Sequence, residues 1–129
     1  MTMAGEKILI VDDDQDIRRL LGVRLKTKGY DTVFAGDAIS AVNQARHERP
    51  DLILLDLGLP AGDGFVVMER LRAIPALEGI PVIVVSARDP QIESDHLVEA
   101  GVDVFFRKPF DYDELVLAIE RALGVGPAA

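Results

Sequence analysis

The sequence predicts an α/β fold in which five parallel strands alternate with five helices, a (βα)5 doubly wound sheet. Five short runs rich in Val, Ile and Leu recur along the 129 residues, and stretches with helical spacing of apolar residues lie between them. The strand runs are apolar at nearly every position, which is typical of a parallel sheet covered by helices on both faces. Right-handed crossovers then favour the flavodoxin-like strand order 2-1-3-4-5.

Each element has its own signal. The strands are predicted at Lys7–Val11, Asp31–Ala35, Asp51–Leu55, Pro81–Val85 and Val104–Phe106. Helices are predicted around the apolar stripes Ile17–Leu25, Ala38–Ala45 and Leu115–Leu123, and less regularly over Gly64–Ile74 and Pro90–Ala100. One of the acids at 12–14 is expected to cap the first helix, and Asp111 the last. We expect residues 1–123 to form one domain and 124–129 to be a tail or the start of a linker.

Composition excludes several classes of protein. Apolar residues make up 49% of the chain, which excludes disorder. The net charge of −8, from 14 basic and 22 acidic residues, argues against direct nucleic-acid binding. Cysteine is absent, which excludes disulfides and thiolate metal sites and fits a cytoplasmic location. Apolar runs are too short to span a bilayer, so no membrane contact is expected.

Polar side chains follow the ends of several predicted strands. They are Asp12, Asp13 and Asp14 after the first strand, Asp56 after the third, Ser86 after the fourth and Lys108 after the fifth. In the predicted strand order the first and third strands are neighbours, and a crevice opens at their carboxyl ends. The topology itself therefore brings Asp56 to the acids at 12–14.

Such a cluster suits phosphoryl chemistry. Neighbouring carboxylates raise one another's pKa unless a cation relieves the repulsion, and Mg²⁺, with Mn²⁺ as a second candidate, prefers carboxylate and carbonyl oxygens. Lys108 supplies a mobile positive charge, and Ser86 supplies a hydroxyl donor. With a phosphodonor in line, Asp56 acts as the nucleophile and becomes an acyl phosphate.

Two plainer or rival interpretations remain open on residues alone. Asp56 taken singly is more often a turn residue than a nucleophile. A haloacid-dehalogenase-type phosphatase would use Asp12 as nucleophile and Asp14 as general acid and base, with Ser86 and Lys108 beside them. That alternative leaves Asp56 and the pair Asp63-Gly64 without a role.

Four motifs resemble the receiver domain of two-component response regulators, over essentially Lys7 to Leu123. They are Val11-Asp-Asp13, Leu55-Asp-Leu-Gly-Leu-Pro60 with Asp63-Gly64, Val85-Ser-Ala87 and Lys108-Pro-Phe110. The resemblance implies a phosphorylation-activated switch, not an enzyme, which accepts a phosphoryl group from a phosphohistidine donor. A receiver-like module that binds partners without phosphorylation is the third alternative.

The resemblance also implies a role for each site residue. Asp56 is the phosphoacceptor; Asp12, Asp13, Asp56 and the backbone carbonyl of Gly58 hold Mg²⁺; Ser86 and Lys108 contact the phosphoryl group; Ser86 and Phe105 form the switch; Gly58 and Arg88 tune the lifetime of the acyl phosphate. The Lys108–Pro109 peptide bond is expected to be cis.

The implied partners are a histidine kinase or a histidine phosphotransfer protein. We expect this partner to dock near the first helix, where Ile17, Leu20, Leu21 and Leu25 supply apolar surface and Arg18 and Arg19 flank it. A downstream effector is expected on the face of the fourth helix, fifth strand and fifth helix. The domain is expected to be a monomer or a phosphorylation-dependent dimer.

Overall fold

A computed structural model describes residues 5–59, 63–91, 94–102 and 104–125. Pro60 of the loop motif, residues 1–4, and residues 126–129 of the predicted tail lie outside this part of the chain. The strands are β1 Lys7–Val11, β2 Asp31–Ala35, β3 Leu52–Leu55, β4 Val82–Ser86 and β5 Val104–Arg107. The helices are α1 Gln15–Thr27, α2 Ala38–Glu48, α3 Asp63–Ala73, α4 Ser94–Ala100 and α5 Tyr112–Leu123. The predicted strands and helices are therefore confirmed to within a few residues at their ends.

The five strands form one parallel sheet in the order β2-β1-β3-β4-β5. This confirms the predicted flavodoxin-like order. The polar edge residues lie where the strands end, because β1 and β3 are hydrogen-bonded neighbours and Val11 pairs with Leu55. Asp12 and Asp56 follow these two paired residues directly, and so leave the sheet side by side.

The core has a large apolar cluster on each face of the sheet. One cluster packs Leu9, Val11, Ile53 and Leu55 against α2 and α3. The other packs Ile8, Ile10, Leu52 and Leu54 against α1 and α5. Successive residues of β1 and β3 therefore pack on opposite faces of the sheet, which is why residues 8–11 and 52–55 are all apolar.

Helices α1, α2 and α5 each begin after a residue whose side chain caps the first turn. Asp14 accepts hydrogen bonds from the amides of Asp16 and Ile17 at the start of α1, Asp37 accepts one from Ser40 at the start of α2, and Asp111 caps α5. The prediction of caps at Asp111 and among residues 12–14 is confirmed. Helix α5 ends at Leu123, and Gly124 closes it in the left-handed conformation with a φ of 72°.

Glycine at position 64 lets α3 begin directly beside the strand end. A Cβ atom added to Gly64 would lie 2.6 Å from both the Asp56 carbonyl oxygen and the Leu57 Cα atom. The Gly64 amide donates to the Leu57 carbonyl at 3.0 Å. The first turn of α3 therefore presses on the backbone that carries Asp56, and only glycine fits there.

Candidate phosphoacceptor site

The buried polar side chains of the described residues coincide with the predicted site. They are Asp12, Asp56 and Ser86, exposed to 3%, 7% and 0%. A buried carboxylate is costly unless it is paired, so two of them beside each other require compensation. Their common position at the carboxyl edge of the sheet makes that edge the candidate functional site.

Lys108 joins the two buried carboxylates. Its Nζ atom lies 2.7 Å from Oδ2 of Asp12 and 3.4 Å from Oδ2 of Asp56. The Lys108 amide donates to the Ser86 carbonyl at 2.9 Å, which extends the β4–β5 pairing past the end of β5. This backbone hydrogen bond fixes the position from which the Lys108 side chain leaves the backbone. The Lys108–Pro109 peptide bond is cis, as expected.

The two carboxylates also accept backbone hydrogen bonds. The Asp14 amide donates to Oδ1 of Asp12 at 2.9 Å, and the Gly58 amide donates to Oδ1 of Asp56 at 2.9 Å. In both cases the second oxygen faces Lys108. The carboxylates are thus held in orientation by their own loops.

Burial and pairing act in opposite directions on Asp12. Burial raises the pKa of the Asp12 carboxyl, and its hydrogen bonds from Lys108 and the Asp14 amide only partly offset this. For Lys108, burial by itself lowers the pKa, but the hydrogen bond to Asp12 and the charges of Asp12 and Asp56 outweigh burial and raise it. One lysine therefore does not fully compensate the negative charge of this pocket.

Three acids here could hold a metal ion. Asp12, Asp13 and Asp56 each offer an oxygen atom within 4.8 Å of the others, and Asp13 is exposed. The cluster contains three carboxylates and one lysine, so a divalent cation would balance its charge. Hard carboxylate oxygens suit Mg²⁺, which retains several waters and therefore needs an open side such as that at Asp13.

Gly58 and Arg88 lie close to the acids but differ in what they contact. A Cβ atom added to Gly58 would lie 3.4 Å from Oδ1 of Asp56, so a side chain at this position would stand against the carboxylate. The Arg88 amide donates to Oγ of Ser86 at 3.3 Å, while its guanidinium lies 6.0 Å from the centre of the Phe65 ring. Glycine therefore leaves Asp56 open on one side.

Phe105 is half-buried and packs against a small cluster on the α4 side of the sheet. That cluster is built from Leu57, Val84 and Leu97. Phe105 pairs with Val84 across the β4–β5 ladder, and Ser86 follows two residues after Val84 on the same face. The cluster therefore joins the residue after Asp56 to Phe105, and Ser86 lies on the same face of β4 as Val84.

The structure places both predicted docking arginines of α1 on the side of the helix toward β2, and their role in docking stays a prediction. Nη1 of Arg18 donates to the backbone carbonyl of Asp12 at 2.6 Å, so this side chain belongs to the acid edge. Both arginines line a groove toward β2, with Val23 and Phe34. The groove between α1 and the β5–α5 connection is lined instead by Ile17, Leu20, Arg24 and Lys108, together with Phe110 and Tyr112.

Only part of the aliphatic stripe on α1 is available to a partner. Leu21 and Leu25 are buried in the core, at 2% and 0% exposure. Ile17 is half-buried and Leu20 is 50% exposed, because α1 turns this side away from the sheet. Burial therefore reduces the predicted four-residue docking stripe to Ile17 and Leu20.

A family model for the response regulator receiver domain matches residues 8–120. The chain belongs to this family. Its members are components of two-component signalling systems and act as switches rather than catalysts. This membership also makes the phosphatase alternative wrong, and the geometry agrees: Asp14, its proposed acid and base, caps α1.

Two curated relatives illustrate the range of the family. The chain is 39% identical over 121 residues to sporulation initiation phosphotransferase F of Bacillus subtilis, covering 94% of this chain and 96% of the relative. It is 36% identical over 123 residues to the DNA-binding response regulator MtrA of Mycobacterium tuberculosis. That match covers 95% of this chain but 53% of MtrA, so the chain spans about half the length of such relatives.

Solved structures agree with the fold. The receiver domain of sensor histidine kinase PA1611 from Pseudomonas aeruginosa has a TM-score of 0.85 and 31% identity, covering 94% of this chain and 99% of that one, with magnesium coordinated in its active-site cleft. A putative response regulator from Chloroflexus aurantiacus has a TM-score of 0.86 and 29% identity, covering 93% and 98%. No helix in the described ranges is long and apolar enough to cross a membrane.

Proposed function

We propose that Asp56 accepts a phosphoryl group from a phosphohistidine donor, with Mg²⁺ bound by Asp12, Asp13, Asp56 and the Gly58 carbonyl. The observation that carries this proposal is the buried pair of carboxylates joined by a single lysine. Mg²⁺, when bound, would neutralise charge on the phosphoryl oxygens. Mn²⁺ offers the same preference for oxygen ligands.

The chain's own residues have separate tasks in the transfer. Oδ2 of Asp56 attacks phosphorus, the bond from phosphorus to the donor imidazole nitrogen breaks, and the imidazole leaves with its electron pair. Lys108 already contacts this oxygen and can follow the charge onto the new phosphoryl group. Ser86 is fully buried beside the site, and its hydroxyl hydrogen can donate to a phosphoryl oxygen.

The direct test is labelling with acetyl phosphate and Mg²⁺. Intact-mass measurement should show one added phosphoryl group in the wild-type chain and none in Asp56→Asn, which keeps the shape of the side chain without its nucleophile. Equal labelling of Asp56→Asn would place the acceptor elsewhere. A folded wild-type chain that stays unlabelled would instead support the module that works without phosphorylation.

The hydrolysis of the acyl phosphate is part of the same proposal. Glycine at position 58 leaves one side of Asp56 open to water, and Arg88 lies on the α4 side of the site. We infer that Gly58 shortens the lifetime of the phosphorylated state and that Arg88 modulates it. Introducing a larger side chain, as in Gly58→Met, should lengthen the lifetime, and an unchanged decay rate would remove Gly58 from this role.

Signal output is proposed to run from Ser86 through Phe105. The Phe105 ring is half-buried against Leu57, Val84 and Leu97, and we infer from this that its inward state is populated before phosphorylation. Only a differential stabilisation of that state can then shift the equilibrium. Phosphorylation should change NMR shifts near Phe105 and along α5. Changes confined to the loops around Asp56 would contradict this route to the α4–β5–α5 effector face.

The donor is proposed to be a histidine kinase or phosphotransfer protein that docks in the groove between α1 and the β5–α5 connection. Lys108 lines both this groove and the acid site, so a helix lying there brings its phosphohistidine to Asp56. A cytoplasmic location, which the lack of cysteine indicated, is part of this proposal. So is a monomeric or phosphorylation-dependent dimeric state.

Leu20 and Val23 offer a matched test of docking. Both are exposed aliphatic residues of α1, at 50% and 62%, but Leu20 lines the groove by Lys108 and Val23 lines the groove toward β2. Leu20→Ser should slow transfer from the phosphohistidine partner, while Val23→Ser should not. Neither should alter labelling by acetyl phosphate. If Leu20→Ser slows both donors, the docking proposal fails.

A further inference from the structure

The backbone carbonyl of Asp12 accepts no hydrogen bond from a neighbouring strand. The Asp12 amide donates to the Ala35 carbonyl at 3.0 Å, so β1–β2 pairing continues one residue past Val11. In a parallel strand the amide and carbonyl of one residue face the same neighbouring strand, so the Asp12 carbonyl also faces β2. However, β2 ends at Ala35 and the chain turns through Gly36 and Asp37 into α2.

Arg18 supplies the missing donor from another element. It lies in the first turns of α1, and Nη1 of its guanidinium is 2.6 Å from the Asp12 carbonyl oxygen. Buried backbone carbonyls are almost always paired, and a charged donor makes the shorter and stronger kind of hydrogen bond. Asp12 is therefore held at both ends, its carboxylate by Lys108 and its carbonyl by Arg18.

Gly36 provides the space for this contact. A Cβ atom added there would lie 3.0 Å from Nη1 and 3.7 Å from Cζ of Arg18. Gly36 does not have a positive φ, so its backbone conformation does not require glycine. The reason for glycine is the packing of the guanidinium between α1 and the end of β2.

We propose that Arg18 is a positioning residue for the metal site, acting through the backbone of Asp12. Asp12 and Asp13 are adjacent, and both carboxylates are proposed metal ligands, so fixing one peptide plane sets the direction of both side chains. This inference rests on the proposed Mg²⁺ binding. It opposes a simple electrostatic expectation, because the positive charge of Arg18 by itself would weaken cation binding.

The two effects have opposite signs in Arg18→Gln. Loss of positioning should weaken Mg²⁺ binding, by about ten-fold if it resembles the loss of other groups that orient metal ligands. Loss of charge alone would leave affinity unchanged or tighten it. The measurement is Mg²⁺ titration followed by amide NMR shifts, at a temperature where thermal melts show every variant folded.

Gly36→Ala is the second variant, because it keeps the charge of Arg18 but crowds the guanidinium, which must shift by a few tenths of an ångström. It should weaken Mg²⁺ binding in the same direction by a smaller factor, and the double variant should lose little more than Arg18→Gln alone, since both changes act on one contact. Arg19→Gln is the matched control: Arg19 is the next residue of α1, exposed and outside the acid edge, and should bind Mg²⁺ as the wild type does.

Two further readouts separate this inference from the function it rests on. Without metal, the carbonyl ¹³C resonance of Asp12 should move in Arg18→Gln and Gly36→Ala and stay in place in Arg19→Gln. With acetyl phosphate, Arg18→Gln should need more Mg²⁺ for half-maximal labelling and reach nearly the wild-type maximal rate. Wild-type Mg²⁺ affinity in both Arg18→Gln and Gly36→Ala overturns the inference alone, whereas a wild-type chain that binds no Mg²⁺ overturns the proposed function with it.

Discussion

Strand β1 has a lysine–carboxylate pair near each end, and the two pairs have nearly the same geometry. At its start, Nζ of Lys7 lies 2.8 Å from Oε1 of Glu48. Past its end, Nζ of Lys108 lies 2.7 Å from Oδ2 of Asp12. The side chains of the first pair are 32% and 35% exposed, whereas those of the second are 19% and 4% exposed. Only the surroundings distinguish them.

At the exposed pair both pKa shifts favour the charged forms. The hydrogen bond that Lys7 donates to Glu48 raises the pKa of Lys7 and lowers the pKa of Glu48. The contribution of Glu48 is present above its ordinary pKa and is lost as pH falls through its lowered value. That of Lys7 is present below its ordinary pKa and is lost as pH rises through its raised value.

At the buried pair both pKa values are raised, which favours the charged form of Lys108 but the neutral form of Asp12. The pKa of Lys108 is raised as that of Lys7 is, so its contribution is lost only in the alkaline range. The pKa of Asp12 is raised by burial, so its contribution is present below its ordinary pKa of 3.8 and is lost as pH rises through the raised value. At neutral pH the ionised Asp12 therefore costs folding free energy, and its carboxylate favours any additional cation. Burial therefore distinguishes the two pairs: both charged forms are favoured at the start of β1, whereas the buried carboxylate past its end favours a further cation.

The largest effect should follow from removing a ligand at the buried end. Asp13→Ala removes an exposed carboxylate from the three-acid cluster and should weaken Mg²⁺ binding by about ten-fold or more. Mg²⁺ at 100 times its Kd stabilises a folded chain by about 2.7 kcal/mol, and Asp13→Ala should lose much of this gain at the same concentration. Denaturant unfolding with and without Mg²⁺ measures it. If Mg²⁺ increased the free energy of unfolding of Asp13→Ala as much as that of the wild type, this would contradict the metal assignment.

Breaking the buried pair should have the next largest effect. Lys108→Met leaves Asp12 buried without its cation and should reduce the free energy of unfolding without metal by about 1–2 kcal/mol. This is less than the 3–5 kcal/mol typical of a fully buried pair, because Lys108 keeps contact with water. Mg²⁺ should restore part of the loss, since it supplies charge at the same oxygens. Destabilisation that Mg²⁺ leaves unchanged would show that Lys108 acts only through packing.

The smallest effect is expected at the exposed pair. Glu48→Gln keeps the side-chain volume and removes the charge that Lys7 pairs with, so the thermal midpoint should fall slightly at pH 7 and less in high salt. The difference from wild type should shrink as pH falls below the ordinary Glu48 pKa of 4.5 and disappear once pH has fallen through the lowered value. The Mg²⁺-dependent gain should stay intact. Losing that gain in Glu48→Gln would mean that the two ends of β1 are coupled.

Much of the site was predictable because it depends on topology. The apolar runs and the helical stripes between them specify alternating strands and helices, and the strand order then places Asp12 and Asp56 side by side. The cap at Asp111 was predictable for a similar reason, since its hydrogen bonds reach only two and three residues along the chain. Features that depend on chain order or on near neighbours can be inferred from sequence.

Contacts between distant side chains were decided only by packing. Arg18 and Arg19 are identical residue types on one helix, yet only Arg18 reaches the Asp12 carbonyl. Leu20 and Leu21 differ in exposure, 50% against 2%, because the helix turns one toward the groove and the other toward the core. The sequence predicts the apolar stripe on α1, but the rotation of this helix against the sheet determines which of its residues remain accessible.

The same distinction applies to the acids themselves. Sequence alone determined that Asp12 and Asp13 both lie at the end of β1, because the apolar strand stops there. It did not determine their unequal environments: Asp12 is 3% exposed and bonded to Lys108, whereas Asp13 is exposed. Successive side chains at a strand end point in opposite directions, and only the tertiary structure shows that one direction meets β5 and the other meets solvent. Lys108 was predicted at the same edge, but its direct contact with Asp12, 96 residues away, was decided by the packing of the sheet.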